Sequence, residues 1–278
     1  MSNVPATTDP LYDVAIIGGG INGVAIARDA ALRGLRVYLC EKGDLANETS
    51  SVSSKIIHGG LRYLETYEFA MVRKSLKERE VLLNIAPHLV APLGFVLPHN
   101  IERRPRWLIR LGLFVYDHLY RSKYIPKAKK ITFNGTPLGK PLKKHFKHGF
   151  TYGDAWADDA RLVTLTALDA AQHGAHVETR TTCQNTHHDG QSWRLTTLHG
   201  GVPKDIRAKA LVNATGPWAE AFLKGVGLEK ASKPLTLVKG SHIIVPKLFD
   251  HKNAYTLQTH DGRVVFAFPY EKQFTLIG

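Results

Sequence analysis

A glycine-rich turn near the start of the chain constrains the fold more than any other feature. Residues 18–23 fit the pattern G-x-G-x-x-G, and they follow an apolar, β-branched run at 12–17 that predicts a buried strand. Alanine-rich residues 22–33 predict a helix that stops at Gly34, and residues 36–40 predict a second strand. A strand, a helix and a strand in about 30 residues form a βαβ unit, so we expect a parallel sheet covered on both faces.

The spacing within this unit indicates a dinucleotide site. Gly18 permits the tight turn, Gly20 lets the backbone approach a pyrophosphate, and Gly23 permits close helix–strand packing. Amide groups at the start of the helix bind phosphates. Glu41, 18 positions beyond Gly23, is placed to accept hydrogen bonds from ribose hydroxyls. We favour dinucleotide binding over an ordinary turn followed by a surface glutamate, although the pattern does not distinguish NAD from FAD.

Residues 47–63 form an unusual serine-rich segment after the βαβ unit. Its composition is that of a flexible linker, yet it leads directly into the string HGGLRY. Small hydroxyl side chains allow close packing along a cofactor, and two adjacent glycines let the chain pass against a flat ring system. His58, Arg62 and Tyr63 follow. Taken singly, each fits a structural role better than a functional one; taken together, after a dinucleotide unit, they indicate a site.

The net charge is concentrated in one segment. Lys and Arg exceed Asp and Glu by 13 in the whole chain, and residues 101–148 hold 13 Lys and Arg against only Glu102 and Asp117. We therefore treat 101–148 as a basic insertion in a nearly neutral chain. The hydrophobic fraction of 44% excludes wholesale disorder, and no apolar run reaches the about 18 residues that a spanning helix needs. The two cysteines, Cys40 and Cys183, predict reduced thiols and an intracellular protein, and we assign no metal.

The basic insertion has three interpretations. Apolar residues at 107–120 recur at helical spacing on almost every side, and cations precede and follow them. One interpretation is an interfacial helix on anionic lipid, where Trp and Tyr favour the headgroup level. Another is a buried helix with a solvated, charged border, and these two stay open. Nucleic-acid binding comes third, because no helix-turn-helix or aromatic β-platform accompanies the charge.

Four strings are specific in combination: GGGING at 18–23, TSSVSSK at 49–55, HGGLRYLE at 58–65 and NATGPW at 213–218. Together they closely resemble the FAD-dependent, quinone-linked glycerol-3-phosphate dehydrogenases. Shorter strings at 79–83, 112–119, 158–162 and 239–242 are similar to the same family.

This resemblance implies an α/β fold of the glutathione-reductase-type, amino-acid-oxidase-like flavoproteins. In that fold a Rossmann-like, doubly wound FAD-binding domain is interleaved with a mostly antiparallel β substrate domain. We expect the FAD-binding domain at residues 10–85 and 155–230. The substrate domain, incomplete here, is expected at 86–154 and 231–278.

The resemblance also implies which residues bind FAD. Those at the adenosine and pyrophosphate end are Gly18, Gly19, Gly20, Ile21, Asn22, Gly23, Glu41 and Lys42. Those nearer the ribityl chain and the ring are Thr49, Ser50, Ser54, Lys55, His58 and Gly59. A second small-residue turn beside the pyrophosphate consists of Ala214, Thr215 and Gly216.

The implied reaction oxidises sn-glycerol 3-phosphate to dihydroxyacetone phosphate, with hydride transfer from C2 to FAD and electrons passed to quinone. Arg62 is expected to bind or orient the phosphate, because its planar fork matches a phosphate group. His58 is the candidate base or flavin contact, and Tyr63 is expected to line the pocket. Lys239 and His242 are expected to approach the ring from the second domain.

The expected partners are glycerol 3-phosphate, a quinone, an anionic membrane surface and a second copy of the chain, with no nucleic acid. The resemblance implies a bacterial protein that is cytoplasmic and peripheral on the inner membrane. The chain stops at Gly278 directly after an apolar strand, and the family's chains run further, so we expect an N-terminal portion without turnover of its own. The alternatives are an FAD-dependent amine or amino-acid oxidase of the same fold, or a catalytically inactive, truncated flavoprotein that acts as a basic adaptor.

Overall fold

The computed structural model of the chain describes residues 10–99, 104–228, 234–259 and 261–278. In these ranges the helices are α1 (Ile21–Leu32), α2 (Phe69–Ile85), α3 (Arg106–Leu119), α4 (Asp159–Gln172) and α5 (Ala219–Gly225), with 3₁₀ turns at Leu61–Thr66 and Gly216–Trp218. The strands are β1 (Leu11–Ile17), β2 (Val37–Cys40), β3 (Ile56–Ile57), β4 (Val90–Pro98), β5 (Lys129–Thr132), β6 (His148–Ala157), β7 (His176–Glu178), β8 (Thr181–His188), β9 (Trp193–His199), β10 (Val202–Asn213), β11 (Ile243–Pro246), β12 (Ala254–Gln258), β13 (Val264–Tyr270) and β14 (Phe274–Ile277). Within the described ranges, no helix is both long enough and apolar enough to cross a membrane.

The chain divides into two compact units. The first unit is drawn from Met1–Ser53 and Asp159–Val238, and the second from Ser54–Asp158 and Lys239–Gly278. This division differs from the expected one mainly at residues 54–85, which belong to the second unit; residues 155–158 also belong to the second unit, and residues 234–238 to the first. The physical reason is packing: β3 pairs with β6, and α2 contributes buried apolar side chains to the core of the second unit.

The first unit is built on a sheet with the strand order β7-β2-β1-β10-β9-β8 among the described residues. β1 is parallel to both of its neighbours, and Ile17 lies opposite Cys40 on β2 and Asn213 on β10. Apolar side chains of α1 and α4 cover one face of the sheet. Because parallel strands end at the same edge, the residues that follow β1, β2 and β10 come together there.

The second unit contains a mostly antiparallel sheet with the order β11-β14-β13-β12-β4-β6-β3, and β5 pairs with β6 beside this path. The pairing of β12 with β4 is parallel. Helices α2 and α3 pack on the apolar core through buried side chains such as Leu76, Leu113 and Tyr116. Phe95 and Tyr152, opposite each other on β4 and β6, stack within that core.

Several strands, among them β3, β5, β6 and β8, were not anticipated from the sequence. Lys129–Thr132 forms β5, a charged strand that is stabilised by its pairing with His148–Thr151 on β6. Thr181–His188 forms β8, a polar strand paired with β9 at the end of the first sheet. The predicted βαβ unit is confirmed, and its helix ends as expected, with Gly34 at a φ of +79°.

Candidate cofactor and active site

The turn after β1 brings backbone directly against backbone. Gly18 has a φ of +115°, and a Cβ there would lie 2.5 Å from the carbonyl oxygen of Ala214. A Cβ on Gly23, in the first turn of α1, would lie 1.9 Å from the carbonyl oxygen of Gly18. Both separations are far inside van der Waals contact, so neither position has room for a side chain.

The start of α1 has the features of an anion-binding helix terminus. Gly20 occupies the N-cap without a side-chain capping bond, and the nearest atom to a Cβ there would be Ser50 Oγ, at 3.1 Å. The Ile21 amide donates to Ser50 Oγ at 3.0 Å. An α-helix leaves its first amides without intrahelical partners, and the helix dipole favours negative charge at that end. This terminus therefore suits a phosphate.

Glu41 follows β2 and is held by two backbone amides. Its Oε2 accepts from the Gly19 amide at 2.6 Å, and its Oε1 accepts from the Gly43 amide at 2.8 Å. A Cβ on Gly19 would lie 2.7 Å from the Glu41 Cβ, which explains why residue 19 is also a glycine. A carboxylate has about four lone-pair positions, so Glu41 keeps acceptor capacity for ligand hydroxyls.

A cleft of ≈ 440 Å³ lies at this edge of the sheet, within the first unit. Its volume falls in the range of small-molecule sites. The predicted residues that line it are Gly18, Gly20, Ile21, Asn22, Glu41, Lys42, Thr49, Ser50, Ala214, Thr215 and Gly216. Gly19 and Gly23 are predicted residues that do not line the cleft: the Gly19 amide bonds to Glu41, and Gly23 packs on the Gly18 carbonyl.

Other lining residues were missed by sequence reasoning. Thr181, Thr182 and Cys183 on β8 line the cleft because the Thr181 amide donates to the Glu41 carbonyl at 2.8 Å. No local pattern signals this contact, since about 140 positions separate the two residues in the chain. Trp218 lines the cleft too, and Lys42 Nζ lies 4.4 Å from the centroid of its ring, within cation–π distance.

The two thiols of the cleft are poor nucleophiles. Burial raises the pKa of Cys40 well above its usual value, and burial raises the pKa of Cys183 to about 11. Both thiols therefore stay protonated near neutral pH, and thiolate is the reactive form. This supports a structural role for Cys40 on β2.

The remaining predicted residues lie in the second unit. His58 and Arg62 have exposed side chains, and Tyr63 is 48% exposed, whereas Gly59 and Gly60 between them are buried. Gly60 has a φ of +77° and begins the 3₁₀ turn that carries Arg62 and Tyr63. The backbone of the turn is thus buried at the two glycines, while the side chains of His58, Arg62 and Tyr63 are exposed.

Ser54 and Lys55 precede this turn. Ser54 Oγ lies 3.0 Å from His242 Nε2, so the structure brings these two predicted residues together, while Lys239 is exposed. Lys55 has a φ of +54°, an unusual conformation for a side-chain-bearing residue. The predicted site residues therefore form two groups, one in each unit.

The donor set of the first unit fits a dinucleotide. It combines two glycines that leave no room for a Cβ, a helix whose N-cap residue Gly20 makes no side-chain capping bond, and a carboxylate fixed at the end of the neighbouring strand. These features match phosphate recognition by backbone and ribose recognition by Glu41.

Comparison with known proteins shows the family to which the chain belongs. The sequence profile described as "FAD dependent oxidoreductase" matches residues 13–278. The chain belongs to this family of FAD-dependent oxidoreductases. The predicted fold class, an FAD-binding α/β flavoprotein fold, is thereby confirmed.

Individual members of the family are similar over the whole chain. A glycerol-3-phosphate dehydrogenase of Pseudomonas aeruginosa is 53% identical over 100% of this chain and 54% of its own length. A D-erythritol 1-phosphate dehydrogenase of Brucella abortus is 50% identical over 96% of this chain and 53% of its own length. The crystal structure of a glycerol-3-phosphate dehydrogenase from Bacillus halodurans complexed with FAD has a TM-score of 0.69 at 25% identity, covering 96% of this chain and 47% of that one. The chain spans about half the length of the curated relatives it matches.

Proposed function

We propose that the protein to which this chain belongs oxidises sn-glycerol 3-phosphate to dihydroxyacetone phosphate with FAD as hydride acceptor. The observation that carries this proposal is the 53% identity with the Pseudomonas aeruginosa glycerol-3-phosphate dehydrogenase along the entire chain. Because the chain spans about half of that relative, the proposed activity belongs to the whole protein.

In this proposal the first unit holds the nucleotide end of FAD. The start of α1 would bind the pyrophosphate through main-chain amides that make no bond to Glu41 or Ser50, and Glu41 would accept hydrogen bonds from the adenosine ribose. Lys42, Thr49, Ser50 and the turn Ala214–Gly216 line the same cleft. When bound, the cofactor supplies the hydride acceptor that amino-acid side chains do not provide.

The second unit supplies the groups that act on the substrate. Arg62 binds the phosphate dianion through its planar fork, and His58 accepts the proton of the C2 hydroxyl. Tyr63 would line the substrate pocket, and Ser54, Lys55 and Gly59 would help to hold the flavin end of the cofactor. The exposure of His58, Arg62 and Tyr63 on a turn with a buried base supports these roles, since side chains that bind a ligand must be accessible to it.

We further propose that α3 rests on an anionic membrane surface, from which the protein passes electrons to a quinone. One face of α3 is buried through Leu113 and Tyr116, and the other exposes a set of large apolar side chains: Trp107, Leu108, Leu111 and Phe114. Exposed arginines at 104, 106 and 110 flank that face. An apolar face bordered by cations supports the interfacial interpretation over that of a fully buried helix.

Anaerobic reduction of the bound flavin tests the reaction. The purified protein with FAD is mixed with glycerol 3-phosphate, D-erythritol 1-phosphate or glycine, and bleaching of the flavin absorbance is followed. We expect glycerol 3-phosphate to bleach the flavin fastest and a quinone-analogue dye to restore the colour. Faster bleaching by D-erythritol 1-phosphate would reassign the substrate, as the 50% identity with the Brucella enzyme allows. Bleaching by glycine alone, with release of peroxide in air, would indicate the oxidase.

Vesicle flotation tests the membrane contact. We expect binding to anionic vesicles, little binding to neutral ones, and loss of binding in the double variant Trp107→Ser, Phe114→Ser. Leu168→Ser is the matched control, because Leu168 is a comparably exposed apolar residue on α4. Equal flotation of the double variant and the control would remove α3 from the proposed surface.

A further inference from the structure

A buried polar network lies beneath the turn that carries His58. Asp154 is on β6, Tyr116 on α3 and Arg79 on α2, and all three side chains are 3% exposed or less. They come from three separate elements of the second unit and meet at the backbone of Gly59.

The Gly59 amide is the point on which this network converges. It donates to Tyr116 Oη at 2.8 Å and to Asp154 Oδ1 at 3.1 Å. Tyr116 Oη in turn donates to the same Asp154 oxygen at 2.7 Å, and Arg79 forms an ion pair with that carboxylate. Arg79 also donates to the Gly153 carbonyl at 3.2 Å. The Gly59 amide is thus held by side chains of α3 and β6, and Arg79 on α2 holds the Asp154 carboxylate of β6 in turn.

Stability alone is a poor explanation for such a network. Removing charged groups from water is costly, and apolar side chains of similar volume often give an equally stable core. Burial raises the pKa of Asp154, and the Arg79 guanidinium opposes that effect only in part, so a charge at this position is costly to the fold. Arg79 Nε is buried without a hydrogen-bond partner among the described residues, but the bonds that join Gly59, Tyr116 and Asp154 favour one arrangement of the chain at this turn.

The contact between turn and network is also steric. A Cβ on Gly59 would lie 2.2 Å from Leu76 Cδ2 and 2.5 Å from Tyr116 Oη. The backbone therefore lies directly on the network, and the exposed side chain of His58 is attached to the residue next to the fixed amide.

We propose that Tyr116, Asp154 and Arg79 are positioning residues that hold the His58–Gly60 backbone so that His58 and Arg62 meet the substrate in one geometry. This inference rests on the proposed function for the roles of His58 and Arg62. The network touches neither substrate nor cofactor in this proposal. It acts by restricting the turn, because small misplacements of catalytic groups reduce rates strongly.

The test compares Tyr116→Phe with Tyr152→Phe. Tyr152 is a buried tyrosine of the same core whose ring packs edge-on against Tyr116, but its hydroxyl bonds to Thr256 at 2.7 Å and not to Gly59. Amide hydrogen exchange over residues 56–62 is measured in both variants with FAD bound. We expect exchange roughly tenfold faster in Tyr116→Phe and unchanged exchange in Tyr152→Phe, as the loss of one hydrogen bond predicts.

Kinetics of the whole protein provide the second measurement. We expect Tyr116→Phe to lower kcat for glycerol 3-phosphate by about 10- to 100-fold with a smaller change in KM, and Tyr152→Phe to leave both nearly unchanged. Equal exchange in the two variants would overturn the proposal, and so would faster exchange with wild-type kcat. The exchange measurement needs no substrate, so it tests the positioning even if the parent protein fails to oxidise glycerol 3-phosphate, a result that would overturn the proposed function instead.

Discussion

The glycine turns at 18–23 and 59–60 need glycine for different reasons. In the first unit, Gly18 and Gly23 are required because backbone meets backbone, and the helix start that follows is left to a ligand. In the second unit, Gly59 meets the side chains of Leu76 and Tyr116, and its amide is used inside the protein. One turn binds with its main chain. The other fixes its main chain so that neighbouring side chains do the binding.

This difference predicts how each turn tolerates a methyl group. A clash with a main-chain carbonyl oxygen, such as that of Gly18 or Ala214, is relieved only if the backbone itself moves. A clash with the end of a Leu side chain is relieved by rotation or by a smaller residue. Substitutions in the first turn should therefore be the more damaging.

The largest effect is expected for Gly23→Ala. The added Cβ would lie 1.9 Å from the Gly18 carbonyl oxygen, so α1 must move away from β1. We expect loss of FAD retention and a decrease in the free energy of unfolding of more than about 3 kcal/mol. Flavin absorbance after gel filtration and denaturant unfolding measure both. Gly225→Ala is the control, because a Cβ at Gly225 meets nothing within 4 Å; equal behaviour of the two variants would contradict the steric argument.

Gly59→Ala should be less severe and open to rescue. We expect a decrease of about 1–3 kcal/mol in the free energy of unfolding, with FAD retained. Replacing Leu76 by Val removes the methyl nearest the new Cβ, so the double variant should be more stable than the two single effects predict. A double-mutant cycle by urea unfolding measures this coupling. Strict additivity would show that the clash is relieved by the backbone and not by the side chain.

Local pattern predicted the first turn well and the rest of its site poorly. The βαβ unit was placed to within one residue at β1, α1 and β2, because strand, glycine turn and helix are encoded in consecutive residues. The contribution of Thr181–Cys183 to the cleft depends on a bond between Thr181 and Glu41, which only the folded sheet creates. β5 was missed for the same reason: its charged sequence favours loop, and pairing with β6 overrides that preference.

The residues of the second turn indicated a site, but their roles were predicted from the resemblance alone. His58, Arg62 and Tyr63 drew attention as a cluster, but the residues beneath them did not. Asp154 lies 95 positions from Gly59 and Tyr116 lies 57 positions away, and neither carries a local signal of burial or partnership. A buried network made of distant residues becomes visible once the sheet and its two helices are in place.

Glu41→Gln tests whether the first turn needs charge as well as shape. The substitution keeps the volume but weakens the bonds from the Gly19 and Gly43 amides, and it reduces acceptor capacity toward ribose. We expect FAD affinity to fall about tenfold, by titration monitored through flavin fluorescence. Glu48→Gln, in the same cleft but paired only loosely with Lys42 at 3.9 Å, should bind FAD almost as the wild type does. Equal losses would point to general charge and not to the position of Glu41.

The smallest expected effect concerns a carboxylate of each unit, Asp154 and Glu178, which differ in burial. The second unit buries Asp154, whereas the first holds Glu178 on the edge strand β7, with its side chain 20% exposed. Burial raises the pKa of Glu178, but hydrogen bonds from Lys204, Tyr38 and His176 outweigh burial and lower the pKa to about 2.

Since the folded-state pKa lies below the value of 4.5 for an unperturbed glutamate, this carboxylate contributes stability above about pH 4.5 and loses it as the pH falls toward 2. We expect Glu178→Gln to remove about 0.5–1 kcal/mol of stability at pH 6 and almost none near pH 2. Urea unfolding across this range measures the difference. Asp29→Asn, which breaks an exposed pair with Arg33, should move the curve much less. A constant gap between wild type and Glu178→Gln at every pH would mean that the residue acts through packing, and the contrast between a charged edge in one unit and a buried charge in the other would then lose its electrostatic basis.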